Sequence, residues 1–142
     1  MPRIRRCATY ILAVLAAVSV SAMAAPPDRT QPALAAQTSR EGGVTVTVTP
    51  KNLAPGAPSW DFEVTLETHT QPLSQDLTRA VLLIGAQGPP QSPLAWEGDP
   101  PGGHHRHGLL RFRPPAGHPA IVELRILGIG GVDVRTFRWR LD

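Results

Sequence analysis

The feature that most constrains the fold is a strict alternation of apolar and polar residues in two segments. Residues 44 to 49 read VTVTVT, so the valines share one face of an extended chain and the threonines share the other. In residues 60 to 66 the apolar positions are Trp60, Phe62, Val64 and Leu66. Alternation of this kind is typical of antiparallel strands that bury one face and expose the other. Both segments are therefore predicted to be half-buried strands.

Turn-forming residues divide the rest of the chain into short pieces. The 142 residues include 16 prolines and 13 glycines, which disfavour long helices and suit turns. Five more strands are predicted, at residues 80–84, 94–99, 104–112, 120–127 and 132–141. The first of these, AVLLI, is continuously apolar, and we expect a central strand covered on both sides. Seven short strands without a convincing helix predict an all-β, immunoglobulin-like antiparallel β-sandwich, with a small closed β-barrel as the alternative.

The N-terminal segment is typical of an exported protein. Three arginines precede an apolar run at residues 10–20, and the triplet AMA follows that run. The run is shorter than the roughly 20 residues of a membrane-spanning helix, so residues 1–24 are predicted to be a signal peptide cleaved after Ala24. The alternative is a retained anchor. We expect a periplasmic or extracellular protein that meets the membrane only during export.

The segment after the leader carries no sign of regular structure. Residues 25–42 show no sustained periodicity and are predicted to be a disordered lead-in. This leaves residues 43–142 as a single β-sandwich domain, which is long enough to bury a core of its own.

Charge and cysteine content exclude several functional classes. Three of the 14 basic residues and none of the 11 acidic residues lie in the predicted leader, which leaves 11 of each in the mature chain. A mature protein this close to neutral lacks the basic excess of a nucleic-acid-binding domain. The single cysteine, Cys7, also lies in the leader, so neither a disulfide nor a cysteine nucleophile is expected. No Gly-x-Ser-x-Gly turn or phosphate-binding glycine loop occurs, and we predict that the protein is not an enzyme.

A histidine-rich hairpin is the main candidate for a binding site. It comprises an arm at residues 94–99, a PPGG tip, and a second arm that begins HHRH at residue 104. If the second arm is extended, His105 and His107 share the outward face, while Leu110 and Phe112 point to the core. Two imidazoles two residues apart on a strand can bind one transition-metal ion. Zn²⁺ and Cu²⁺ are the ions expected for imidazole and carboxylate ligands.

Further ligands are needed for a tight site. The candidates in the whole chain are His69, Glu97, Asp99, His104, His105 and His107. Two registers of the hairpin remain open, because Asp99 faces His104 in one and His105 in the other. The alternative is a hairpin without a metal, in which Glu97 pairs with Arg106 and the histidines face solvent.

Several segments of the chain resemble a known group of proteins. The segments are ETHT at residues 67–70, LAWEG at 94–98, PPGGHHR at 100–106 and GLLRF at 108–112. They are similar to those of a group of small exported prokaryotic proteins of unassigned function, over most of the chain from about residue 44 to 141. The resemblance implies a shared architecture and a shared role for His69, His104 and His105. The chain has His107 where the group is expected to carry a lysine, which favours His69 with a neighbouring histidine over the pair two residues apart.

These patterns predict an exported, non-catalytic binding module. In one interpretation it binds a divalent transition metal through the histidine-rich hairpin. In the alternative it is a protein-interaction module of the cell envelope without a metal. Such a module either adds an edge strand to its partner or presents its arginine-rich face to an acidic one.

Overall fold

The computed structural model describes residues 34–141, and in this part of the chain nearly all regular structure is β. The strands are β1 (Gln37–Glu41), β2 (Val44–Asn52), β3 (Trp60–Thr68), β4 (Val81–Ile84), β5 (Ala95–Gly98), β6 (His105–Phe112), β7 (Ile121–Ile129) and β8 (Val132–Arg140). One helical turn, α1 (Leu77–Ala80), precedes β4 and is capped by the Asp76 carboxylate, which accepts a hydrogen bond from the Thr78 amide. The predicted signal peptide lies outside the described residues.

The strands form two antiparallel sheets. Sheet A has the order β1-β2-β3-β6-β5, and sheet B has the order β4-β7-β8. With β1 set aside, these are the two sheets of a constant-type immunoglobulin domain in the same chain order. The predicted immunoglobulin-like sandwich is therefore confirmed, with eight described strands instead of about seven. The closed barrel is wrong, because the two sheets of the described region remain separate.

The core lies between the sheets and is built from the alternating apolar positions. The valines of β2 and the apolar face of β3 are buried, as their alternation predicts. The Phe62 ring packs edge-on against Phe112 at a centroid distance of 5.8 Å and against Trp139 at 5.6 Å. Full burial of each such side chain stabilises the fold by about 1.5–3 kcal/mol.

The prediction of a disordered lead-in over residues 25–42 is wrong for residues 37–41, which form strand β1. Residues 25–33 lie outside the described region, but Gln37–Glu41 pairs with β2 along its whole length. Polar contacts also join β1 to β8: the Gln37 side-chain amide donates to the Arg138 carbonyl and accepts from the Arg138 amide. Arg135 donates to the Ser39 hydroxyl at 2.7 Å. The sequence lacks an apolar period here because this strand is held by hydrogen bonds at the seam between the sheets.

Strand β4 corrects a second expectation, since it is an edge strand instead of a central one. It pairs with β7 on one side only, and on the other side Leu83 exchanges two 2.8 Å backbone hydrogen bonds with Gln91. Val81 and Leu83 are buried in the core, whereas Leu82 and Ile84 lie half-buried on the outer face of sheet B. The continuous apolar run therefore reflects an outer face that is itself apolar.

The hairpin of β5 and β6 adopts neither register considered from the sequence. Glu97 faces Leu109, and the backbone amide of Asp99 donates to the His107 carbonyl at 3.0 Å. The tip does not close on itself, because the Gly102 amide donates to the Leu73 carbonyl at 2.8 Å and the Leu73 amide donates to the Gly103 carbonyl at 2.9 Å. Pairing with another loop thus shifts the register. No helix among residues 34–141 has the length and apolar character needed to cross a membrane.

Candidate functional site

Two loops meet at one end of sheet A. One follows β3 and leads to α1, and the other is the tip between β5 and β6. Besides the two bonds at Leu73, the Thr68 amide donates to the His104 carbonyl at 2.9 Å. Because backbone hydrogen bonds on both sides hold the loops together, the histidines at this end of the sheet are presented on a fixed backbone.

The Arg106 side chain binds both loops from the core-facing side of β6. It is only 1% exposed, and its guanidinium donates to the carbonyls of Gln75, Leu73 and Asp99 at 2.7, 3.3 and 3.4 Å. The guanidinium also lies over the Trp96 ring, 5.6 Å from its centroid. Burial lowers the pKa of Arg106, while Asp99 and Asp76 oppose that effect, and arginine remains charged at ordinary pH. The Glu97–Arg106 ion pair considered from the sequence is wrong, because Arg106 points inward.

The loops and the strand ends line an open depression of about 330 Å³, which we call the histidine depression. Its lining residues are Gly43, Thr45, Glu67, Thr68, His69, His104 and His105. The Thr68 hydroxyl donates to the Gly43 carbonyl at 2.8 Å, which ties the turn between β1 and β2 to the end of β3. Small and hydroxyl-bearing residues thus lie next to three imidazoles and one carboxylate.

Three of the six predicted ligands line this depression, namely His69, His104 and His105. The carboxylate beside them is Glu67, which faces His105 directly across β3 and β6, with Oε1 3.5 Å from Nδ1. Glu67 lies on the outward face of β3, opposite the apolar positions, but it is not among the ligands predicted from the sequence, because the pairing of β3 with β6 cannot be read from either strand alone. Within residues 34–141, no three His, Cys, Asp or Glu side chains are grouped closely enough to hold one ion as they lie.

The other three predicted ligands lie elsewhere. His107 shares the outward face with His105, as predicted, but its Nε2 lies 3.9 Å from Glu63 and it does not line the depression. Glu97 contacts Arg111 at 3.2 Å. The Asp99 carboxylate accepts a 2.8 Å hydrogen bond from the His107 amide. The structure therefore does not bring the carboxylates of the β5 arm to His69.

The side chains of the depression are mostly in solvent. His105 and Glu67 are 58% and 56% exposed, and His69 and His104 are also exposed. Exposed side chains of this kind contribute little to folding stability. Their backbone is held by hydrogen bonds, while the exposed side chains can reorient towards a ligand. For this reason the depression is the best candidate for a ligand site in the described region.

Comparison of the chain with protein-family models, with curated proteins and with solved structures gives no match. The resemblance to small exported prokaryotic proteins stays a prediction.

Proposed function

We propose that this protein is an exported, non-catalytic binding module that takes up a divalent transition metal, Zn²⁺ or Cu²⁺, at the histidine depression. The observation that supports the proposal is the presence of three imidazoles and the Glu67 carboxylate around one depression on a hydrogen-bonded backbone. Where no cysteine is available, imidazole nitrogens and carboxylate oxygens are the protein ligands that bind these ions.

One pair of donors already has a suitable separation. Two ligands of a tetrahedral ion with bonds of about 2.1 Å lie roughly 3.4 Å apart. The His105 Nδ1 and Glu67 Oε1 atoms are 3.5 Å apart. An ion placed between them needs only small rotations of these two side chains.

The remaining donors, His69 and His104, must turn towards that ion. Ordering a side chain costs about 0.5–1.5 kcal/mol, so two of them weaken binding by roughly 5- to 150-fold relative to a preformed site. We therefore expect Zn²⁺ to bind more weakly here than at a preformed site with the same ligands.

The exposed cations Arg111 and Arg40 do not oppose the proposal strongly, and the buried Arg106 guanidinium lies on the opposite face of β6 from His105 and is bound by loop carbonyls. Arg111 is six residues along β6 from His105, or roughly 20 Å, and it contacts Asp61 and Glu97. Arg40 on β1 is three strand spacings from His105, roughly 14 Å between backbones. Such exposed charges are largely screened beyond about 10 Å at moderate salt.

The test is calorimetric titration of the protein, free of any histidine tag, with Zn²⁺ and with Cu²⁺. The His104→Ala/His105→Ala double variant should bind at least tenfold more weakly, and Glu67→Gln should also weaken binding. His107→Ala is the matched control. His107 lies near Glu63 on the same strand face, as His105 lies near Glu67, but it is outside the depression. Absence of binding below high micromolar concentrations, or equal losses in the double variant and the control, would overturn the proposal.

Of the two forms of the alternative function, addition of an edge strand is poorly supported. Strand β5 has four residues and lies between Pro93 and Pro100, while β4 is covered in part by its bonds to Gln91. The other two edges, β1 and β8, are joined by hydrogen bonds, in which the Gln37 side chain occupies the carbonyl and amide of Arg138 and Arg135 binds Ser39. Short, proline-flanked or covered edges are the means by which proteins prevent such pairing. An interaction with another protein would therefore have to use a face of the sandwich.

A further inference from the structure

The histidine depression is much larger than a bare metal ion. Its volume of about 330 Å³ is roughly ten times the volume of about 30 Å³ that one water molecule occupies in the liquid. It also reaches the lower end of the range for small-molecule sites, about 300–1,000 Å³. The depression is open because Gly43 has no side chain and Thr45 has a short one. There is therefore room beside the ion for a small organic molecule.

The donors that are already in place leave part of the coordination of the ion unfilled. The His105 Nδ1 and Glu67 Oε1 atoms are 3.5 Å apart, and within residues 34–141 no third His, Cys, Asp or Glu side chain completes a group with them. A tetrahedral ion has four positions, so two remain. A bidentate chelator that is bound to the ion in solution fills both positions, and His69 and His104 then need not become ordered. Because the chelator and the ion arrive as one complex, no second association step is required.

The outer face of sheet A carries a cation on the far side of the depression from this pair of donors. The strand registers place four residues in one row across β1, β2, β3 and β6, namely Arg40, Thr45, Glu67 and His105. Neighbouring strands are about 4.8 Å apart, so the backbones of Arg40 and Glu67 are separated by roughly 10 Å. A small molecule that extends from the ion over Thr45 therefore approaches Arg40. An arginine at this position favours a molecule that carries a carboxylate.

We propose that the histidine depression takes up the metal ion as a complex with a small amino acid, whose amine nitrogen and carboxylate oxygen occupy the two open positions. The inference rests on the proposed function, since it names the form in which the ion is bound. An amine nitrogen suits Zn²⁺ and Cu²⁺ better than a chelator with oxygen donors alone, because oxygen donors suit Mg²⁺ and Ca²⁺. The second carboxylate oxygen lies towards Thr45 and Arg40, which provide a hydroxyl and a guanidinium donor.

The test is equilibrium dialysis of the protein, free of any histidine tag, against Zn²⁺ and isotopically labelled L-alanine. At saturation we expect one alanine to be retained per chain when Zn²⁺ is present and none after EDTA is added. Thr45→Phe should lower alanine retention at least tenfold, because the ring occupies the depression, while Zn²⁺ alone should bind within about threefold of the unaltered protein. Arg40→Gln should lower alanine retention several-fold with zinc binding unchanged, and it suffices if Thr45→Phe fails to fold.

Thr49→Phe is the matched control, because Thr49 is on the same face of β2 but does not line the depression. It should retain alanine and Zn²⁺ as the unaltered protein does. Zinc binding without alanine retention would overturn this inference and leave metal uptake intact, whereas failure to bind Zn²⁺ in the absence of alanine would overturn both. Retention of labelled citrate in place of alanine, or half an ion per chain with dimer formation, would also overturn the inference, because other groups would then fill the open positions.

Discussion

At the residue scale, the side chains of the HHRH segment have two roles: one stabilises the fold, and the others are exposed to solvent. Arg106 is buried and holds two loops, whereas His104 and His105 project into solvent from the backbone that it fastens. The division follows from strand parity, since Arg106 shares its face with Leu110 and Phe112. Parity alone would have placed Arg106 inward, yet the sequence analysis considered an ion pair of Arg106 with Glu97, which the structure contradicts. The loop carbonyls that receive its guanidinium could not be foreseen, because they come from residues about 30 positions away.

Replacement of Arg106 by methionine tests this division. The change removes the donor of the Gln75 carbonyl and one of the two donors of the Leu73 carbonyl, which keeps its bond from Gly102, and we expect a loss of about 1–3 kcal/mol in the free energy of unfolding. Denaturant titration measures it. Arg79→Met is the matched control, because the Arg79 side chain is highly exposed and forms a solvent-exposed ion pair with Asp76, and a change within about 0.5 kcal/mol is expected. Equal effects of the two substitutions would contradict a clamping role for Arg106.

At the element scale, strands with one apolar face could be predicted from sequence and polar strands could not. The alternation in β2, β3 and β8 specifies which side chains are buried, and the structure follows it. Strand β1 has no such pattern, because β8 and β2 satisfy its polar groups. Likewise, the register of β5 and β6 depends on the Leu73 loop, and a hairpin considered alone contains no information about that loop.

The turn between β1 and β2 packs against the turn between β7 and β8, and this contact can be tested. A Cβ atom on Gly42, whose φ is 55°, would lie 2.0 Å from the Gly130 carbonyl oxygen. We expect Gly42→Ala to destabilise the fold by about 3 kcal/mol or more, because backbone has to move to relieve the overlap. Thermal and denaturant unfolding measure the loss.

Gly56→Ala provides the comparison for that substitution. Gly56 has a φ of 76° but open space around its Cβ position, so only the left-handed backbone is penalised. The expected cost is about 1–2 kcal/mol. If both substitutions cost the same, the two turns do not pack closely in solution.

At the scale of the whole molecule, the sandwich separates two surfaces of different chemistry. Sheet A presents threonines, glutamates and the histidine depression, and sheet B presents aliphatic side chains and arginines. The class of fold followed from strand patterns and turn residues. The candidate site followed only in part, because His69, His104 and His105 were selected by residue type, whereas Glu67 joins them through a strand pairing that connects distant segments.

The stability of the whole fold in acid should depend on Glu123, which links β7 to β8 on the outer face of sheet B. Hydrogen bonds from Arg138 lower the pKa of Glu123, desolvation opposes them, and Arg125 adds to the lowering. A carboxyl group with a lowered pKa in the folded state stabilises the fold above its ordinary pKa, roughly pH 4, and loses that contribution as pH falls through the lowered value.

We therefore expect Glu123→Gln to reduce the free energy of unfolding by about 1–2 kcal/mol at pH 7, since Arg125 and Arg138 are exposed enough to be hydrated after the change. The difference from the unaltered protein should shrink as the pH is lowered from 5 towards 2, because protonation removes the same charge from the native glutamate. Denaturant unfolding of both proteins across this range provides the measurement. A difference that stays constant with pH would mean that packing of the side chain, and not its charge, joins the two strands.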